Sequence, residues 1–475
     1  MGQSGANLTR SADRRVGRWL LVGATAVALC SGVPFAGSPN DGSRLATVEA
    51  LVDHHTFAID DSIFVKPPPA TAPREQLPYH PEWDPLPEIG TVDKLRIDGR
   101  YYSDKPPVAA LLMAGLYQVL QWTTGLRARD RADLFCYAMT VGSSGLAYVL
   151  SVWGTYRLGR VLRLGRRPAL GLALSLGLAT VAGVYVRQVN NHILQLAVAV
   201  LLFWQLARLV HARAPAWTAG ALASVGALAG LGYAIEQASG ALLLAGTVAL
   251  VAWCRRGWRA AAVTACAALP WVLLHHAVVW SFAHTLRPIG AVPAFFDYPG
   301  SEFHAGNLTG LWNHGGLGAC ADYSWRLLLG ERGFVPTNLP LLLGLPAQLL
   351  LLGRARPERP LLVLGALWSA GTWLVYAALS TNYSGVCCSI RWFVPLLAPA
   401  YLALAVLLRD HPSCGLDLLA LSAWGAVLVA LMWFAGPWGF APGTEDAVFW
   451  VVLSGAFVTW AAVRLWGRRL SARLS

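Results

Sequence analysis

Charge is what this chain has least of: Asp, Glu, Lys and Arg supply 13% of its 475 residues, whereas 56% are hydrophobic. A water-soluble domain carries about a quarter charged residues, so water is excluded as the main solvent. Cysteine is sparse as well. Eight are scattered, several inside apolar runs, with no CxxC pair and no metal-ligand spacing. A disulfide framework or zinc module is thereby excluded, and most of these thiols read as small core residues. Also missing is a basic stripe or tail of the kind that grips nucleic acid. The net charge of +12 falls in short Arg clusters between apolar runs, which is how cytoplasmic loops look.

What fills the chain is apolar sequence. A helix rises about 1.5 Å per residue and the hydrocarbon is about 30 Å thick, so one crossing takes roughly 20 apolar residues. Twelve spans are read, at 17–36, 133–157, 168–186, 191–208, 215–233, 238–254, 258–282, 334–353, 359–379, 391–408, 416–435 and 446–463. Arg14, Arg15 and Arg18 before the run Leu20 to Cys30 resemble a signal peptide. Leu29 is too bulky to precede a lipidated Cys30, so an uncleaved first span is the reading adopted.

With the N-terminus inside, the loops that must be cytoplasmic carry Arg157, Arg160, Arg163, Arg166 and Arg167, then Arg208 and Arg213, then Arg255, Arg256 and Arg259. Next come Arg354, Arg356 and Arg359, and the tail 464–475 carries Arg464, Arg468 and Arg469. Each cluster obeys the positive-inside rule. A further apolar stretch, Pro106 to Gly125, is long enough to cross, but its crossing would invert every later loop. It is therefore predicted to be re-entrant or interfacial, which leaves Arg127, Arg129 and Arg131 outside, partly offset by Asp130 and Asp133.

The predicted fold is an all-α polytopic bundle forming a single membrane domain over 1–475, in the plasma (inner) membrane, with both termini cytoplasmic. The outside owns 37–132, 283–333 and 380–390, with short turns near Arg187 to His192 and near Glu236. Most acidic residues fall there, so chemistry is expected on the outer face. The first outer segment is Pro-rich, and Ser43 to His55 has the apolar spacing of a short interfacial helix, with Leu45, Val48, Leu51 and Val52 on one side.

Asp41 follows the first span directly, in Asn40-Asp41-Gly42-Ser43-Arg44. Desolvation at the membrane surface would raise its pKa and make it a base. Its alternative role is to cap a helix starting near Ser43. Further on, Ile97-Asp98-Gly99-Arg100-Tyr101-Tyr102-Ser103-Asp104-Lys105-Pro106-Pro107 enters the re-entrant stretch. There Pro sets the backbone so that Lys105 stays at the level of lipid phosphates, either as a phosphate ligand or as a snorkelling anchor.

The order of these elements resembles the GT-C class of membrane glycosyltransferases: a first span, an Asp just beyond it, a helix Arg44-Leu45-Ala46-Thr47-Val48-Glu49-Ala50-Leu51, then Gly99-Arg100-Tyr101-Tyr102-Ser103-Asp104-Lys105-Pro106-Pro107. It is most similar to the protein O-mannosyltransferases and the lipid A aminoarabinose transferases. Tyr383-Ser384-Gly385, followed by Ser389-Ile390-Arg391-Trp392-Phe393-Val394-Pro395 and Pro399, extends the likeness to a late span. The resemblance covers most of the chain as architecture and about forty residues as motif.

The resemblance implies that Asp41 is the catalytic carboxylate, that Lys105 contacts the donor phosphate, and that Arg391 binds that phosphate or the sugar. It implies a polyprenyl-phosphate-linked sugar donor, an acceptor that is a lipid, glycan or protein, and inversion at the anomeric carbon. Phosphate leaves as an anion, so cations matter more than a general acid. Two departures stand out. Many relatives have an acidic pair after the first span, where position 42 is Gly. Many also have an acid in the next outer turn, where this chain reads Arg187-Gln188-Val189-Asn190-Asn191-His192. No cofactor is predicted, and a divalent metal bridging two carboxylates is doubtful.

Further candidates for substrate contact are Tyr102, Asp104, Arg187, Asn191, His192, Glu302 and His304. His192 suits metal or acceptor, or is a hydrogen-bonded interfacial residue. Glu302 and His304 lie in a loop whose mixed aromatic and polar residues suit either sugar binding or packing on the bundle. Cys320 with Cys387 or Cys388 is a candidate disulfide, since the topology puts all three outside. Two rivals remain at this stage: a transporter or flippase of lipid-linked sugars, and an inactive scaffold of GT-C type. Against transport stand the lack of a convincing repeat and the near absence of charge well inside spans.

Overall fold

The computed structural model describes residues 3–82, 85–212, 216–330, 332–385, 387–438 and 445–474, with side chains except in 3–12, 445–449 and 466–474. Arg213, the expected span start at 215, and the side chains of Arg468 and Arg469 lie outside the described residues.

Helix α1 (Gln3–Ser31) leads into α2 (Pro39–Asp53), a hairpin of β1 (Lys94–Ile97) and β2 (Arg100–Ser103), and α3 (Pro107–Thr124). Then follow α4 (Ala132–Val161), α5 (Arg166–Leu178), α6 (Asn191–His211), α7 (Ala219–Ile235), α8 (Gln237–Arg255) and α9 (Trp258–Ala283). The last part holds α10 (Leu317–Leu329), α11 (Leu341–Leu352), α12 (Arg359–Ala378), α13 (Arg391–Asp410), α14 (Cys414–Ala435) and α15 (Glu445–Leu474). Seven of these helices, α4, α6, α8, α9, α12, α13 and α14, are long and apolar enough to cross a membrane.

Composition explains why they bundle as they do. Apolar side chains point outward as well as inward, with Leu349, Leu350, Leu367, Leu374 and Leu419 all exposed. A helix apolar all round suits lipid on one side and protein on the other. Where helices touch closely, small residues make room. A Cβ on Gly226 of α7 would sit 2.0 Å from the Thr264 carbonyl of α9, and one on Gly230 would sit 2.6 Å from that of Ala268.

Charged side chains sort to the two ends. At one end Asp13 of α1 meets Arg160 at 2.9 Å and Arg166 at 3.0 Å. The buried Glu358 there holds Arg409 at 2.5 Å and His211 at 3.1 Å, and Arg409 also reaches the Leu162 carbonyl. At the other end Tyr137 of α4 donates to the Leu29 carbonyl at 2.9 Å, so α4 begins where α1 finishes. The chain before α3 and the chain after it therefore lie at the same end. Helix α3 runs beside α2, with Tyr117 and Gln121 both bonding to Asp53.

Several element bounds differ from the sequence reading. Helix α2 starts at Pro39 and not near Ser43, because Ser38 is its N-cap and Pro39 fits the first helical position. Helix α1 stops at Ser31, five residues before the expected 36, as Gly32 and Pro34 follow. The stretch 334–340 is turns, interrupted by Pro336 and Pro340, and only 341–352 is helical. The span read at 168–186 breaks after Leu178, where the Asn338 side chain accepts the Val181 N–H at 2.9 Å. The segment 283–333, expected as a loop, carries α10, and the segment between α2 and α3 carries a hairpin, the one strand pair in an otherwise helical chain among the described residues. Its turn residues Asp98 and Gly99 both have positive φ, as the tight two-residue hairpin turn demands.

Candidate functional site

Asp41 is the third residue of α2. The Ser38 hydroxyl caps the helix by accepting from the Asn40 and Asp41 N–H groups, and the Asp41 carboxylate reaches back to that hydroxyl and to the Gly37 N–H at 2.7 Å. Asp41 thus helps to fix the capped start of α2 and is also a buried acid, 1% exposed. Burial pushes its pKa up to about 6, against the opposing effect of the Ser38 and Gly37 bonds and of the Arg44 charge. Gly42 has a reason too. A Cβ there would lie 2.2 Å from the Tyr79 hydroxyl, which donates to the Phe64 carbonyl at 2.8 Å. Tyr79 fills the space a second acid would need.

One turn along α2, Arg44 is buried and points across to α6. Its Nη1 bonds the Asn40 carbonyl at 2.8 Å and the Asn40 side chain, while its Nη2 reaches the Asn191 Oδ1 at 2.5 Å. Asn191 in turn donates to Glu236, at the α7–α8 turn, and the Tyr376 hydroxyl of α12 donates to the same carboxylate at 3.1 Å. Tyr376 stacks on Trp392 with ring centroids 4.3 Å apart, beside Arg391. In the other direction Asn40 donates to Asp93 at 3.1 Å, and Asp93 lies 2.8 Å from the Lys105 ammonium, which also holds Asp104 at 2.7 Å. An unbroken chain of polar contacts therefore runs from Lys105 to the helix pair that carries Arg391.

The electrostatics follow from this packing. Burial opposes the charge of Asp93, but Lys105 and Arg391 hold its pKa below the usual carboxylate range, whereas burial raises that of Asp104. Burial and the Arg391 charge lower the Arg44 pKa to about 10, so it stays cationic at neutral pH. Arg391 lies over the Trp438 ring at 5.3 Å, and its Nε is buried with no partner. A cleft lined by Arg44, Thr47, Tyr102, Lys105, Pro106 and Phe282 opens beside the chain, and Tyr102 stacks on Phe282 at 4.6 Å.

The other sequence candidates fall around this core. Asn191 is inside the chain, and His192 adjoins it, with Nδ1 3.7 Å from Glu236. Arg187 lies over Trp433 at 4.7 Å, with Nε and Nη1 buried and unpaired, and is not part of the chain. Glu302 and His304 are exposed in a loop turn held by Asn307 and do not join the site. The candidate disulfide is not formed: Cys320 lies 3.6 Å from the Ala377 carbonyl and Cys387 2.7 Å from the Ser389 carbonyl, each as a free thiol, and Cys388 is free as well. The Cys320 and Cys387 thiols each face a backbone carbonyl instead of a second sulfur. No group of three or more His, Cys, Asp or Glu is placed to hold a metal ion among the described residues.

Sequence reasoning missed Asp93 and the roles of Arg44, Glu236 and Tyr376. Glu236 was visible as an acid at a span end, the kind of position that is functional by default. Asp93 had no local signal.

A helical membrane bundle gathering three cations, Arg44, Lys105 and Arg391, with four acids, Asp41, Asp93, Asp104 and Glu236, at one end is the class these observations define. No protein-family model and no curated protein matches the chain. Among solved structures it is similar to ArnT from Cupriavidus metallidurans, bound to undecaprenyl phosphate, with 14% identity, a TM-score of 0.48, and coverage of 94% of this chain and 75% of that one. The apo state of the same protein gives 14% identity and a TM-score of 0.49, over 94% and 74%. It is also similar to the oligosaccharyltransferase AglB from Archaeoglobus fulgidus, in complex with an inhibitory peptide and a dolichol-phosphate, with 11% identity, a TM-score of 0.46, and coverage of 91% and 57%. Both proteins are GT-C glycosyltransferases, the class that the motif order resembles.

Proposed function

We propose that the protein is a membrane glycosyltransferase that moves a sugar, with inversion, from a polyprenyl-phosphate-linked donor to a lipid, glycan or protein acceptor on the outer face of the plasma (inner) membrane. The observation that carries this reading is the polar chain that joins Lys105, through Asp93, Asn40, Arg44, Asn191 and Glu236, to Tyr376 and the Trp392 stack beside Arg391. Segments distant in sequence are drawn together around cations at the mouth of an apolar bundle, which is what a lipid-borne phosphate requires.

In this reading Lys105 and Arg391 face the donor phosphate and offset the charge that grows on it as the glycosidic bond breaks. Asp41 takes the proton of the acceptor hydroxyl on the opposite face of the sugar. Each of its carboxylate oxygens accepts one bond in the resting protein, from Ser38 or Gly37, which leaves a lone pair on each for that proton. Tyr102 and Asp104 border the sugar, with Asn191 and His192 behind, and Arg187 is left for the acceptor. This reading requires no cofactor. The Arg-rich end of the bundle is assigned to the cytoplasm with both termini, and α3 to the outer interface.

The test is sugar transfer in proteoliposomes that contain the full chain and polyprenyl-phosphate-linked donors. Asp41→Asn is expected to abolish transfer while leaving expression and folding intact. Full activity of that variant would remove Asp41 as the base. Mass spectrometry of envelope lipids and glycans from a strain lacking the protein is expected to reveal the missing sugar and its acceptor.

A further inference from the structure

Arg44 and Lys105 line the same cleft but differ in net charge. Lys105 sits between two buried carboxylates, 2.8 Å from Asp93 and 2.7 Å from Asp104, so the trio has no positive excess. Arg44 makes no ion pair among the described residues. Its hydrogen bonds go to the neutral Asn40 and Asn191, and its Nε is buried with no partner. Its side chain belongs to a residue only 3% exposed. A buried cation is normally neutralised, paired or held for a ligand. Here the guanidinium stays charged, and Asp41, Asp104 and Glu236 act on it through space without a direct pair.

The neutrality of its partners is built in. An amide has one end that donates and one that accepts, so its orientation must be set from outside. Glu236 sets it by accepting from the Asn191 Nδ2, which turns the Oδ1 toward Arg44. Tyr376 occupies the other Glu236 oxygen at 3.1 Å and holds the carboxylate in place. The acid is thereby kept one residue away from Arg44, and an uncharged group is interposed.

We infer that Arg44 is the cation that sets the affinity of this cleft for an anionic phosphate group, and that Asn191 and Glu236 are positioning residues that aim it. The inference rests on reading the cleft as the donor-phosphate site, and deepens that reading: the cation without a carboxylate partner comes from α2, while Lys105 must first exchange a carboxylate for the phosphate.

Equilibrium titration of the detergent-solubilised full chain tests this, with farnesyl phosphate as the probe and farnesol and inorganic phosphate as competitors. Arg44→Gln is expected to weaken farnesyl phosphate by about tenfold or more, the scale of one lost charge-assisted bond, and Lys105→Gln by less. Glu236→Ala is expected to weaken it by roughly fivefold. Glu236→Gln keeps an acceptor for Asn191 and should stay within about twofold of wild type. Binding by Arg44→Gln within about twofold of wild type overturns the inference, as does a larger loss from Lys105→Gln.

Wild-type affinity in Glu236→Ala overturns the positioning role, and this arm still decides if Arg44→Gln does not fold. Competition by inorganic phosphate supports recognition of the headgroup alone, whereas its failure to compete supports a lipid phosphate. Farnesol competing as well as farnesyl phosphate overturns the anionic site. A wild-type chain that binds no farnesyl phosphate sinks the reading of the cleft itself. Wild-type binding shared by Arg44→Gln sinks only the role of Arg44.

Discussion

Arg44 and Asn191 lie 147 positions apart in sequence, and in the folded chain the guanidinium Nη2 of one is 2.5 Å from the amide Oδ1 of the other. That contact ties α2 to the start of α6, so α2 is anchored to the bundle at its first turns. Asp41, one turn earlier on the same helix, is buried at 1% exposure, and that burial raises its pKa.

The pH dependence of transfer follows. With the Asp41 pKa raised to about 6, the base is protonated and idle below that value. Activity is expected to rise through about pH 6 and level off above pH 7. A profile of kcat/KM between pH 4.5 and 8 measures it, and a rise centred near pH 4 would mean that Asp41 is solvated when it acts.

Glu49 predicts a separate effect, on stability. It lies on the buried face of α2, accepting from the Ser62 hydroxyl at 2.5 Å and the Ile63 N–H at 3.1 Å, and burial raises its pKa to about 7. Because the folded value lies above the unfolded one, its stabilising protonation is complete below about pH 4.5 and is lost as pH rises through about 7. Glu49→Gln is expected to remove this decline, gaining on the order of 1–3 kcal/mol at pH 8. Thermal melts of both proteins at pH 5 and pH 8 check it, and identical pH slopes would refute the assignment.

Gly42 is predicted to resist even the smallest enlargement. A methyl group there meets the Tyr79 hydroxyl at 2.2 Å, and Tyr79 is held by its bond to the Phe64 carbonyl. Gly42→Ala should cost about 1–3 kcal/mol through overpacking. Pairing it with Tyr79→Phe, which removes the clashing oxygen, should recover part of that loss. Melting temperatures in one detergent report both.

The apolar runs became helices because hydropathy is a property of the run itself. Most expected bounds fall within a few residues of the helix ends, and misses such as 334–340 occur where proline and side-chain bonds to the backbone interrupt an apolar stretch. The Asp98-Gly99 hairpin was legible in principle, as two short segments around a two-residue turn, but lay inside a segment read as Pro-rich and irregular. Of the site, Asp41, Lys105, Asn191 and Arg391 were legible through motif and position. Glu302 and His304 lie in an exposed loop turn apart from this cluster, since a loop of suitable composition carries no information on where it folds.

The sequence by itself determined that this protein lives in lipid, that its arginines cluster in short inter-helical segments, and that most of its acids fall in other segments between the apolar runs, because solvation acts on each segment independently. Only the tertiary structure decided that Asp93 answers Lys105, that Tyr79 takes the space beside Asp41, and that Glu236 and Tyr376 stand behind Arg44. Those pairings come from helices crossing at a few ångströms, and the balance of charge at the cleft depends on which neutral or acidic group ends up between two cations.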